Sequence, residues 1–187
     1  MAVWIDMFGS FVIGVLLLFN VVVLNTDMTT RAHQGLLTDM VQNNATAVVQ
    51  FMASDLRKMG YGVSGTAILQ AQSDGIQFLS DMEANGTVDT LFYYASNKAL
   101  ASDTPNPADR YLYRALNNTP PQGMRFGITD IQFRYYSTAG DSLAFPVVVD
   151  QIRKIQVVMV LESPIPYDAT YAKTSVQFSI RPKNLGL

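Results

Sequence analysis

Asp6 is the first residue in this sequence with a reactive side chain, and it is the only charge before Asp27 in a run that is otherwise apolar. A carboxylate inside an apolar helix is costly in lipid and needs a partner, unless it sits at a membrane surface as a solvated N-cap favoured by the helix dipole. Asp81, Glu83 and Asn85, followed by Gly86 and Asp89, begin like a calcium loop. The twelfth position, where an EF-hand places a bidentate Glu, holds Phe92, so a turn explains the segment better than an ion does. His33 is the sole histidine, and Leu37 occupies the place one helical turn on, which excludes a paired-histidine metal site and leaves an exposed helical side chain. There is no cysteine, and thiolate zinc, iron-sulfur clusters, disulfides and cysteine nucleophiles go with it. The serines form no G-x-S-x-G elbow, and neither a P-loop nor a dinucleotide glycine pattern occurs. No catalytic residue, metal ligand or cofactor is expected, and the chain reads as a non-enzyme. Asn44, Asn85 and Asn117 each begin an N-x-T sequon.

The elements that carry these residues divide the chain sharply. Of 187 residues, 49% are apolar and 15% charged, which excludes disorder and points toward membrane contact. Thirteen Lys and Arg against fifteen Asp and Glu leave no basic surplus for phosphates, so no nucleic-acid partner is expected. Residues 7–26 carry no charge, and FVIGVLLLFNVVVL at 11–24 is long enough to cross a bilayer as a helix. A cleaved secretory signal is the competing reading, but the flanks MAVWID and NTDMTT lack its basic start and small-residue end, which favours a retained anchor. Next, Leu37, Val41, Ala45, Val48, Met52, Leu56 and Met59 recur at helical spacing, opposite Asp39, Gln42, Asn43, Gln50 and Arg57. Gly60 and Gly62 end this helix, with Arg57 and Lys58 in its last turn. Read as one helix from Ala2 to Met59 it is about 85–90 Å long, with Gly9–Gly14 and Asn25–Thr30 as the places of interruption.

Beyond Gly62 the pattern becomes that of strands. Residues 76–78 and 91–94 flank Asn85-Gly86, a dipeptide suited to a tight hairpin. Ile131, Phe133 and Tyr135 alternate with polar neighbours, as do Ile155, Val157, Met159 and Leu161, and then Val176, Phe178 and Ile180. This is an antiparallel sheet with one buried face, which the apolar stripe of residues 37–59 is suited to cover. The ten Phe and nine Tyr fit core packing at these alternating positions. Residues 101–108 and 117–123 read as surface loops. The expected fold is α+β: a hydrophobic helix at 1–26, an amphipathic helix at 27–60 and a β-rich domain at 61–187.

This order of elements resembles the type IV pilin and type II secretion pseudopilin superfamily. The succession of DLRKMGYG at 55–62, GIQFLSDMEANGTVDTLFYYAS at 75–96, RYLYRAL at 110–116, GITDIQFRYYSTAGD at 127–141, IRKIQVVMVLES at 152–163 and RPKNLGL at 181–187 is most similar to the J-type minor pseudopilins and minor pilins. Members of that family carry a basic leader, a Gly at the cut and a mature start like Phe-Thr-Leu-Ile-Glu. Here Ala2-Val3-Trp4-Ile5-Asp6 takes that place with no leader before it, so the chain is either already processed at Met1 or begins with an initiator Met1. The resemblance implies a filament subunit that polymerises through its first helix, with copies of itself or related pilins as partners. It also implies storage in a bacterial inner membrane, handling by assembly-platform proteins and a final place in a periplasmic or extracellular filament. It further implies that Asp6 meets the free amino terminus of a neighbouring subunit, making Met1, Ala2 and Asp6 the assembly residues. Phe8, Phe11, Val15, Leu16, Leu18, Phe19 and Val22 are the expected helix-packing core, Gly9, Ser10 and Gly14 offer close helix approach, and Asn20 marks either a polar contact or a loosened turn. The alternative is a bitopic membrane protein whose outer β-rich domain binds a partner without polymerising.

Overall fold

A computed structural model describes residues 2–101, 103–117 and 119–185. The chain divides into two compact units, Met1–Leu37 and Thr38–Leu187. One helix, α1 (Ala2–Lys58), is followed by β1 (Ile68–Ala71), β2 (Gly75–Ser80), β3 (Asp89–Ala95), β4 (Arg110–Leu116), β5 (Gln122–Tyr136), β6 (Lys154–Glu162) and β7 (Lys173–Ile180). The strands form a single sheet in the order β1 to β7, every neighbour antiparallel, so the fold is α+β with an unbroken meander.

Helix α1 runs through both expected interruptions. Gly9 to Gly14 and Asn25 to Thr30 remain helical. The reason lies in the polar side chains, which bond backward instead of capping. Ser10 Oγ donates to the Asp6 carbonyl (2.8 Å), Thr26 Oγ1 to that of Val22 (3.0 Å) and Thr29 Oγ1 to that of Asn25 (2.9 Å). In that arrangement Ser and Thr are compatible with a helix interior. Asn20 does the same, its Nδ2 donating to the Leu16 carbonyl at 2.8 Å, so no turn loosens there.

Within the second unit, the last part of α1 buries one face. Val41, Ala45, Val48, Met52, Leu56 and Met59 are buried, and Asp39, Gln42, Asn43, Gln50 and Arg57 are exposed; Leu37, the last residue of the first unit, is only half-buried. The stripe meets the inner face of the sheet in one core that includes Ile76, Phe78, Leu91, Tyr93, Leu112, Ile131, Phe133, Tyr135, Ile155, Val157, Met159 and Leu161. Each large side chain buried this way contributes about 1.5–3 kcal/mol. On the edge strand β7, Ile180 is buried while Val176 and Phe178 are only half-buried, because no eighth strand lies beside them among the described residues. The helix stops at Gly60, whose φ of +78° suits glycine; a Cβ there would lie 2.6 Å from the Asn184 carbonyl oxygen.

Three local expectations change. The β2–β3 connection is the whole loop 81–88 and not a two-residue turn, and the positive φ angles fall at Ala84 and Gly86 instead of Asn85. Gln122 and Gly123 belong to β5 and not to a loop. Within 101–108, Ala101 and Asn106 are buried: Asn106 Nδ2 donates to Glu162 Oε2 and to the Ser163 carbonyl, both at 3.2 Å, which ties this loop to β6.

Candidate functional site

The most exposed apolar surface lies in the first unit. Residues 3–24 of α1 hold Val3, Trp4, Ile5, Met7, Phe8, Phe11, Ile13, Leu16 to Phe19 and Val21 to Leu24, all exposed and distributed around the whole helix. Phe8, Phe11, Leu16, Leu18, Phe19 and Val22 are among them and Val15 is exposed too; among the described residues nothing buries these side chains. The helix is long and apolar enough to cross a membrane, and its most apolar stretch is not buried at all. An apolar surface of this extent is far beyond the scattered exposed residues of a soluble monomer. Ser10, Asn20, Thr26 and Thr29 each place one side-chain hydrogen bond on a carbonyl of their own helix.

Asp6 lies four residues before Ser10, whose hydroxyl takes the Asp6 carbonyl, and its side chain is exposed. Met1 lies outside the described residues, and of Ala2 the structure gives only its place at the start of the helix. Gly9 and Gly14 have no atom within 4 Å of a Cβ built on them, so both present open helix surface.

The second unit holds a polar cluster that sequence spacing did not reveal. Asp55 of α1 accepts from Tyr93 Oη of β3 at 2.6 Å and from Arg114 Nε of β4 at 2.8 Å. Phe51, one helical turn earlier, packs edge-on to the Tyr93 ring and under the Arg114 guanidinium. Burial pushes the Tyr93 hydroxyl well above the usual phenol range, and the hydrogen bond and charge of Asp55 add to it. The three groups satisfy one another across the helix–sheet boundary, which makes the cluster a clamp fixing the helix on two strands. Its partners lie 38 and 59 residues from Asp55 in sequence, and no local pattern signals them.

The other candidate residues have structural duties. Asp81 accepts from the backbone N–H groups of Asn85 and Gly86, and Asp89 from that of Met82, so the loop's carboxylates close the loop upon itself. Among the described residues no group of three His, Cys, Asp or Glu is placed to hold a metal. Asn44 Nδ2 donates to the Phe126 carbonyl, Asn85 Nδ2 to Glu83 and Asn117 Nδ2 to Asp89, so all three sequon side chains are engaged. Tyr93, Tyr135, Phe78 and Phe133 are core residues as expected. Phe92, Tyr94, Tyr111 and Tyr113 are not: they occupy the opposite strand positions and pack on one another, half-buried, with Tyr94 stacked on Tyr113 at 5.0 Å.

Comparison with known protein families and with curated proteins finds no match.

Proposed function

We propose that this chain is a structural, non-enzymatic subunit of a type IV pilus-like or pseudopilus filament that polymerises through residues 3–24 of α1. The observation that carries this reading is one helix with two kinds of surface, apolar on all sides at first and apolar on one stripe where it covers an antiparallel meander. Outside a bilayer, packing such helices side by side removes their surface from water at about 25 cal/mol per Å². Head-to-tail contacts that do not close produce a helical array. In this reading the inner membrane holds the subunit before assembly, platform proteins extract it, and the finished polymer is periplasmic or extracellular. Asp6 pairs with the amino terminus of the next subunit and aligns one helix against the other.

Negative-stain microscopy of sheared cell-surface material tests the proposal. Fibres that contain this chain support it. A detergent-extracted monomer with no fibres favours the second reading, a bitopic anchor for a partner-binding domain, which the same membrane-length helix also fits. Immunogold along the whole fibre marks a shaft subunit, and label only at its end marks a minor one. Asp6→Ala is expected to abolish or shorten fibres; unchanged assembly removes Asp6 from the mechanism.

A further inference from the structure

Asn85-Gly86 is the sole Asn-Gly pair in the sequence, and both residues are exposed in the loop between β2 and β3. The pair carries its own chemistry. The Gly86 amide nitrogen loses its proton to hydroxide and attacks the side-chain carbonyl carbon of Asn85. A nitrogen–carbon bond forms, the bond from that carbon to Nδ2 breaks, and ammonia leaves as water returns the proton. The product is a cyclic imide. Water opens it at either carbonyl, leaving aspartate or, with the backbone rerouted through the side chain, isoaspartate. Nothing is oxidised or reduced, and water is the only co-reactant. Glycine is the permissive neighbour for this attack, and no atom lies within 4 Å of a Cβ built on Gly86.

The loop holds both reacting groups. Gly86 N–H donates to Asp81 Oδ2 at 2.8 Å and Asn85 N–H to Asp81 Oδ1 at 3.0 Å. The nucleophile's proton thus points at a carboxylate, whose charge disfavours the anion that has to form on that nitrogen. Asn85 Oδ1 accepts from Thr87 N–H at 2.8 Å, and its Nδ2 donates to Glu83 Oε2 at 3.2 Å. With both ends of this amide tied, its plane turns toward the nitrogen only by giving up a bond, and attack demands alignment as well as approach. Asp81 is itself 6% exposed and fixed, its N–H donating to the Tyr61 carbonyl at 2.8 Å.

We propose that Asn85 is a site of spontaneous deamidation, restrained by Asp81 while the loop is closed and released when the loop opens. The modification holds the loop open afterwards. Isoaspartate lengthens the backbone between residues 85 and 86, which takes the two N–H groups held by Asp81 out of register. Either product replaces a donor to Glu83 with a negative charge in a loop that already contains Asp81, Glu83 and Asp89. The same loop receives the Lys58 ammonium on its Met82 carbonyl at 3.0 Å, so its opening also loosens the last turn of α1. This holds whether or not the chain polymerises.

The test incubates the full chain in detergent at mildly alkaline pH and follows aspartate and isoaspartate at residue 85 by peptide mapping and mass spectrometry. A free peptide covering residues 78–92 serves as the unrestrained reference. The folded chain is expected to react at least about tenfold more slowly than the peptide, because the loop has to open first. D81A is expected to bring the rate in the chain close to that of the peptide, and G86A to suppress the reaction in the peptide. D81N keeps the shape and one acceptor but not the charge, and its rate should lie between wild type and D81A. Near-ultraviolet circular dichroism identifies which variants stay folded; if D81A unfolds, D81N alone decides. A wild-type chain that reacts as fast as the peptide overturns the restraint. A folded D81A or D81N chain that reacts no faster than wild type removes Asp81 from it. Modified chain, separated by its extra charge, should exchange its amide hydrogens faster across residues 82–90, and unchanged exchange there overturns the opening of the loop.

Discussion

Two stretches of α1 are both rich in apolar residues and have opposite fates. Between Val41 and Met59 a single stripe, Val41, Ala45, Val48, Met52, Leu56 and Met59, is buried by a sheet of the same chain, while Phe51 on the flank stays exposed. Between Val3 and Leu24 they point in every direction and all remain exposed. A stripe needs one neighbour, which the chain supplies. A helix apolar all round needs to be surrounded, and a single sheet cannot do that. The distribution of apolar residues around the axis, together with their number, therefore separates a folding element from one that must find its surroundings elsewhere.

The contrast extends to the two acids, and the largest effect is expected there. Asp55→Ala strands the Arg114 guanidinium and the Tyr93 hydroxyl, so it should lower stability of the globular unit by about 3–5 kcal/mol. Denaturant unfolding followed by near-ultraviolet circular dichroism measures it. Asp6→Ala in the same assay should do nothing, since that side chain is exposed. Next in size, Leu56→Ala should cost about 2–5 kcal/mol, and Leu16→Ala should leave the transition of the globular unit unmoved while weakening fibres or membrane retention. Equal destabilisation by both changes would break the comparison. A third effect stays silent at neutral pH. Burial raises the Tyr93 and Tyr135 hydroxyls far above their ordinary range, chiefly by desolvation. Both states keep these protons below the unfolded pKa of about 10; above it the unfolded chain loses them first, so the native state binds more protons and stability falls as pH rises. Absorbance at alkaline pH should show two tyrosines that titrate only on unfolding. The smallest change is Asn20→Ala, which removes a side-chain bond to the Leu16 carbonyl and should shift helix content by no more than a few tenths of a kcal/mol.

What the sequence revealed follows the same division. Helix stripe, strand alternation and the exposed apolar run were legible because each is periodic, and period is set by local geometry. The Asn85-Gly86 turn was misplaced because Asp81 and Asp89 recruit the surrounding backbone into a longer loop, a choice no dipeptide encodes. Strand β1 carries too few residues to show alternation. The Asp55–Tyr93–Arg114 clamp is assembled from a helix and two strands, and it exists only once the meander has brought those elements together.

The backward bonds of Ser10, Asn20, Thr26 and Thr29 have a consequence for exchange between media. A polar side chain that places a hydrogen bond on its own helix asks less of lipid, or of any other apolar surrounding. Moving the segment from one apolar surrounding to another therefore breaks none of these bonds and requires no new partner to be found for them. For these four side chains the barrier to transfer is set mainly by packing and the solvation of hydrocarbon, whereas the Asp6 carboxylate, which makes no such bond, still has to be accommodated.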